Sequence, residues 1–147
     1  MNKEKLEELS KKEYNCSQTV FAYFAYDLGM DEELTMKTAT AFERGMFKSE
    51  TCGALTGAYM ALGLKYGSSD FEKKLKLEEM VHKLDKEFEK KNKSKKCINL
   101  LGVDVNTNEG MKIALEEDLL SDVCGRCISS SIEITEKIME EYDANQK

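Results

Sequence analysis

The chain has 147 residues, 41% of them hydrophobic, with 22 Lys and Arg against 28 Asp and Glu. A formal charge of −6 excludes the basic face of a general nucleic-acid binder, and no run approaches the roughly 18 apolar residues of a membrane span, so a membrane-embedded protein is not expected. This length buries a core without disulfide staples, and 1–147 is expected to form a single helical domain.

Proline is absent, and apolar residues recur at three and four instead of two, which predicts an all-α bundle of about six to eight helices. Lys3 to Lys12 reads as a short charged helix with Leu6 and Leu9 inward. Because Met1 to Lys12 lacks the apolar centre of a signal peptide, a cytoplasmic location is expected. Asn15 caps a second helix, Gln18 completes a capping box, and Cys16 falls in the first turn. Val20, Phe21, Phe24 and Leu28 form its stripe, and Gly29 ends it. Asp31 to Arg44 predicts a third helix with Leu34, Thr38, Ala41 and Phe42 inward, closed by Gly45.

A short connection, Gly45 to Thr51, leads into Cys52-Gly53-Ala54-Leu55-Thr56-Gly57. Ser49 and Thr51 are good N-caps there, and Ala54, Leu55, Ala58, Tyr59 and Leu62 repeat at helical spacing up to about Tyr66. Gly53 and Gly57 leave one face without bulk, where a cofactor or a small apolar ligand has room to approach. After Gly67-Ser68-Ser69, Asp70 caps a long amphipathic helix from Phe71 to about Lys91. The basic run Lys90 to Lys96 would raise the positive potential just before Cys97. Ser94 can cap a short helix holding Cys97, Ile98, Leu100 and Leu101, ended by Gly102. Val103 to Gly110 reads as a loop and Met111 to Leu120 as a weak helix. Ser121 and Asp122 offer caps for a last helix whose first turn carries Cys124-Gly125-Arg126-Cys127.

Cys16, Cys52, Cys97 and Cys124 thus each fall in the first turn of a predicted helix. The positive end of a helix dipole and its unsatisfied N–H groups favour a thiolate there, which suits a nucleophile or a metal ligand. Cys124-x-x-Cys127 is a spacing that serves a disulfide or a shared metal. A thioredoxin-like module would need strands that this chain lacks, and a zinc ribbon would need a second such pair. Arg126 can stabilise a thiolate inside the motif, while the one histidine, His82, is expected at the surface.

Several of these segments together resemble the CGCAxxGCC family of redox-active proteins. The resemblance runs through Tyr14-Asn15-Cys16-Ser17-Gln18, then Glu50-Thr51-Cys52-Gly53-Ala54-Leu55-Thr56-Gly57 with Leu62-Gly63-Leu64-Lys65-Tyr66-Gly67. It continues in Cys97 before Leu100-Leu101-Gly102 and in a cysteine opening the last helix. It implies a helical domain with four signature cysteines and a redox role, often beside transporter genes, and one related module in a cytochrome is thought to hold an iron-sulfur cluster. The fourth signature cysteine is Cys124 or Cys127, with Cys124 preferred from the spacing to Ile128, Ile132 and Ile134. Glu43-Arg44-Gly45-Met46-Phe47 departs from the more glycine-rich approach expected of relatives.

Three functions follow as expectations. The first is a redox thiol protein, a thiol-dependent oxidoreductase or electron carrier with an unidentified redox partner, in which Cys52 is the reactive thiolate. Cys16, Cys97, Cys124 or Cys127 then pairs with it, Cys16 first. The second is an iron-sulfur or other metal module ligated by Cys16, Cys52, Cys97 and Cys124. The third is a structural helical protein whose cysteines are core. A homodimer through exposed apolar helix faces fits each of them.

Overall fold

The computed structural model describes residues 1–146. Among these, eight α-helices follow one another: α1 (Lys3–Ser10), α2 (Cys16–Ala25), α3 (Glu32–Ala39), α4 (Gly53–Tyr66), α5 (Phe71–Asn92), α6 (Cys97–Leu101), α7 (Asn108–Glu116) and α8 (Leu119–Asn145). An isolated antiparallel bridge joins Thr51 to Lys96, and no strand forms among the described residues. The fold is all-α, as the periodicity predicts.

Two helices make the centre. The capping box at the start of α2 is present in full: Asn15 Oδ1 accepts from the Gln18 N–H at 2.8 Å, and Gln18 Oε1 accepts from the Asn15 N–H at 2.8 Å. From Ser17 to Ala25 every residue of α2 is buried, more than the expected stripe: the apolar run Val20 to Ala25 places the helix inside the core, and Gln18 and Thr19 make hydrogen bonds there. Helix α4 is its partner, with Gly53 to Ala58, Ala61 and Leu62 buried. A Cβ at Gly57 would stand 2.6 Å from the Ser17 carbonyl oxygen and 3.0 Å from Val20 Cβ. The small residue therefore lets the two backbones approach. The amphipathic helices α5 and α8 cover this pair through Leu84, Phe88 and Ile132, none of which is exposed. Ser131 of α8 donates from Oγ to the Ala54 carbonyl at 2.7 Å, tying the last helix to the first turn of α4.

Three boundaries differ from expectation. Helix α3 stops at Ala39 and passes through a 3₁₀ turn, Thr40–Phe42, so the helix does not reach Arg44. Its buried face is Thr35 and Ala39, while Leu34, Thr38 and Ala41 are exposed. Helix α7 starts inside the segment read as a loop, because Thr107 Oγ1 accepts from the Gly110 N–H at 3.0 Å and caps it. Helix α8 starts at Leu119 after Asp118, whose φ is 54°, and not at Ser121 or Asp122. Cys124 consequently lies in the second turn of α8 and Cys127 in the third, so only Cys16, Cys52 and Cys97 sit at helix starts.

Candidate redox site

Two unconnected stretches of backbone hold Cys52 and Cys97 side by side. The Cys52 N–H donates to the Lys95 carbonyl at 2.8 Å, and the Cys97 N–H donates to the Glu50 carbonyl at 2.7 Å. Cys52 itself, not Ser49 or Thr51, occupies the N-cap position of α4. Cys97 opens α6, and Lys96 instead of Ser94 stands at its cap.

The chain reaches Cys52 through a left-handed turn. Arg44, Gly45, Met46 and Phe47 have φ of 50°, 67°, 61° and 59°, and Ser49 follows at 58°. Each non-glycine residue in this conformation costs roughly 1–2 kcal/mol. The loop after α6 holds it in place: Asn106 donates from Nδ2 to the Arg44 carbonyl at 3.1 Å and to Ser49 Oγ at 2.7 Å, and Ser49 Oγ donates to Asp104 Oδ1 at 2.5 Å. The Ser49 hydroxyl and the Asn106 N–H hold the Asp104 carboxyl below its ordinary range. The glycine-poor segment that departs from the expected pattern is thus where glycine would relieve strain.

The five thiols divide into two hydrogen-bonded pairs and a fifth member. Cys52 and Cys127 act on each other through side-chain hydrogen bonding, as do Cys16 and Cys124. Hydrogen bonding with Cys127 lowers the pKa of Cys52 against the opposing effect of burial, and the N–H groups of Ala54 and Leu55 add to the lowering. Cys124 is likewise lowered, by hydrogen bonding with Cys16. Their partners are shifted the other way: Cys127 through its bond with Cys52 and burial, Cys16 through its bond with Cys124 and burial. Burial, and then the nearby sulfurs of Cys52 and Cys124, push Cys97 up to about 12.

All five cysteines line one cavity of about 480 Å³. Leu100, Leu101, Met111, Leu120, Val123 and Ile128 make most of the rest of its wall apolar, while Glu43 and Arg44 supply charge. Cys16 and Cys124 are partly exposed, and Cys52, Cys97 and Cys127 are buried.

The structure revises several readings of individual residues. The thiol that shifts Cys52 most is Cys127, whereas Cys16, also close by, is shifted most by Cys124. Within the CxxC motif, Cys124 and Cys127 are each shifted chiefly by a thiol from another helix. Neighbours three apart on a helix have Cβ atoms about 5–6 Å apart, more than the ~3.5–4.5 Å that a disulfide spans. The lysine run does not lower Cys97: Lys91, Lys95 and Lys96 instead lie 3.5–3.9 Å from Glu133, Asp85 and Glu50. Arg126 is exposed and its pull on Cys127 is outweighed. Gly53 lines the cavity, whereas the open face of Gly57 is filled by α2. His82 is exposed. Among the described residues no three Cys, His, Asp or Glu side chains converge to hold a metal ion. Cys16, Cys52, Cys97 and Cys124 therefore do not fit a single ion as arranged. Asp104 and Asn106 escaped the sequence reading, although Asp104-Val105-Asn106-Thr107 carries the Asx and Thr side chains typical of a backbone-binding turn, and Glu43 and Arg44 entered it only as part of a departing segment and not as lining of the cavity.

No helix of the described residues is long and apolar enough to cross a membrane. No curated protein and no solved structure matches the chain. A family described as "Putative redox-active protein (C_GCAxxG_C_C)" matches residues 14–138, a span of most of the chain within which the five cysteines lie. The chain belongs to this family of cysteine-bearing helical proteins.

Proposed function

We propose that the protein carries out dithiol–disulfide chemistry, with Cys52 as the nucleophilic thiolate and Cys127 as the thiol that closes a disulfide with it. The observation that supports this most is that Cys52, at the N-cap of α4, shares one cavity with Cys127, whose hydrogen bonding is the first cause of its lowered pKa. A lowered thiol is largely ionised nearer neutral pH, and its partner is already placed to resolve a mixed disulfide. Cys52 attacks a disulfide oxidant, forming a mixed disulfide and releasing one thiolate; Cys127 attacks the Cys52 sulfur and releases the second, and the two leaving thiolates take one proton from Cys127 and one from water.

Mild oxidation of the fully reduced protein, followed by disulfide mapping, tests this reading. A Cys52–Cys127 disulfide is expected. Five cysteines that stay reduced, with ordinary alkylation profiles and alanine variants altered in stability alone, would favour a purely structural protein. The iron-sulfur reading has the shared cavity in its favour, while the pairing of thiols two by two speaks against it. Anaerobic purification with iron and sulfide analysis separates them, and a colourless, metal-free protein is expected.

A further inference from the structure

We infer that Cys16 and Cys124 form the entry port of a four-thiol relay, which takes oxidising equivalents from a small apolar disulfide in the cavity and passes them to the buried pair Cys52 and Cys127. The relay rests on the dithiol reading above and adds the substrate class and the route.

Three observations carry it. The outer pair is partly exposed and the inner pair is buried, at 6% for Cys52 and 1% for Cys127. Cys16 and Cys124 are the two cysteines with surface left to a reagent, and both line the cavity that leads to the other two. Both pairs line the same cavity, whose volume of about 480 Å³ suits a small molecule enclosed by apolar walls. The pairs also adjoin: a Cβ at Gly53, the residue after Cys52, would lie 3.3 Å from Cys16 Cβ. Cys124 and Cys127 stand one turn apart on α8.

The chemistry balances in four steps. The Cys124 thiolate attacks one sulfur of the substrate disulfide, forming a mixed disulfide and releasing the first substrate thiolate. The Cys16 thiol gives its proton to that thiolate and attacks the Cys124 sulfur. This closes Cys16–Cys124 and releases the second substrate thiolate, which takes a proton from water. The Cys52 thiolate then attacks the Cys16 sulfur, beside which the Gly53 backbone lies, and Cys124 departs as a thiolate. Finally Cys127 gives its proton to Cys16 as it attacks the Cys52 sulfur, so that Cys52–Cys127 is oxidised and Cys16 and Cys124 return to thiol and thiolate. A second substrate molecule reoxidises the outer pair, and four thiols are consumed in all.

The test uses the fully reduced 147-residue chain with diethyl disulfide under anaerobic conditions, quenched by acid and mapped by mass spectrometry. Two equivalents of probe consumed per chain are expected, with Cys16–Cys124 appearing before Cys52–Cys127. C124A and C16S should each slow formation of Cys52–Cys127 at least tenfold, and C16S should accumulate Cys124 bound to one half of the probe. C127S should accumulate a Cys16–Cys52 disulfide. Circular dichroism identifies any variant that fails to fold, and the order of disulfides in the unaltered chain still decides the matter. Formation of Cys52–Cys127 in C124A and C16S at the unaltered rate overturns the relay and leaves the dithiol reading standing. Failure of the unaltered chain to form Cys52–Cys127 overturns both.

Discussion

Cys127, in the third turn of α8, holds the pKa of Cys52, at the N-cap of α4, below that of an ordinary thiol, while its own is raised. The proton is thereby kept on the α8 residue and the charge on the α4 residue. This asymmetry is readable by alkylation. Cys52 should ionise below the range of an ordinary thiol, and C127A, which removes the first cause of the lowering, should move its inflection upward. The measurement is the pH dependence of iodoacetamide labelling at Cys52, resolved by peptide mass spectrometry. An unmoved inflection in folded C127A would mean that the N–H groups of Ala54 and Leu55 suffice alone.

The raised thiols make a separate prediction about stability. Cys16, Cys97 and Cys127 keep their protons in the folded chain, while unfolded cysteines lose theirs near pH ~8.5. Above that pH the folded state binds more protons than the unfolded one, so stability falls as pH rises. For Cys97 the fall extends to about 12, where its folded thiol itself ionises. The lowered thiols Cys52 and Cys124 act oppositely and lose their contribution as pH falls through their folded values. Denaturant unfolding of the reduced protein between pH 8 and 10 should therefore show a steep decline, about 1.4 kcal/mol per pH unit for each raised thiol at its limit. C97S should lessen the slope by one such proton.

Much of this arrangement is local and was legible in the sequence. The capping box of Asn15 and Gln18, Asp70 as a cap and the run of helical periods depend on neighbours three and four residues away. The thiol pairing depends on contacts between residues 75 and 108 positions apart, Cys52 with Cys127 and Cys16 with Cys124. Helical spacing carries no information about such contacts. The start of α8 was misread because Asp118 adopts a left-handed cap with no side-chain hydrogen bond, a cap that leaves Ser121 and Asp122 as the more persuasive local signals. The antiparallel bridge between Thr51 and Lys96 was invisible for the same reason of distance.

The left-handed turn before Cys52 can be relieved. Phe47 is 46% exposed with φ of 59°, and its ring lies 5.2 Å from the Arg44 guanidinium. F47A keeps the Cβ that clashes in this conformation and loses the cation–π contact, worth about 0.5–1 kcal/mol at an exposed site. F47G loses the same contact but removes the penalty of roughly 1–2 kcal/mol, less the greater freedom of an unfolded glycine. The glycine variant should thus be more stable than the alanine variant by up to about 1 kcal/mol, the reverse of the order in a right-handed helix. Urea midpoints of the two variants check this, and an alanine variant at least as stable as the glycine one would contradict the left-handed turn.

Two glycines of α4 should respond oppositely to the same substitution. At Gly63 a Cβ meets nothing within 4 Å, so G63A should stabilise the helix by roughly 0.5–1 kcal/mol. At Gly57 the Cβ would press against the Ser17 carbonyl oxygen at 2.6 Å, a backbone atom of α2 that no rotamer change can move aside. G57A should cost about 1–3 kcal/mol by forcing α2 and α4 apart. Because Ser17 follows Cys16 directly, the displaced turn of α2 should also carry the Cys16 sulfur away from Cys124 and weaken the bond that lowers the Cys124 thiol. Urea unfolding of both variants reads the stability difference, and iodoacetamide labelling at Cys124 reads the second effect as an inflection shifted upward in G57A and unchanged in G63A. A G57A protein as stable as G63A, with the same labelling profile, would show that the close approach of the two helices neither limits the fold nor positions the outer thiol pair.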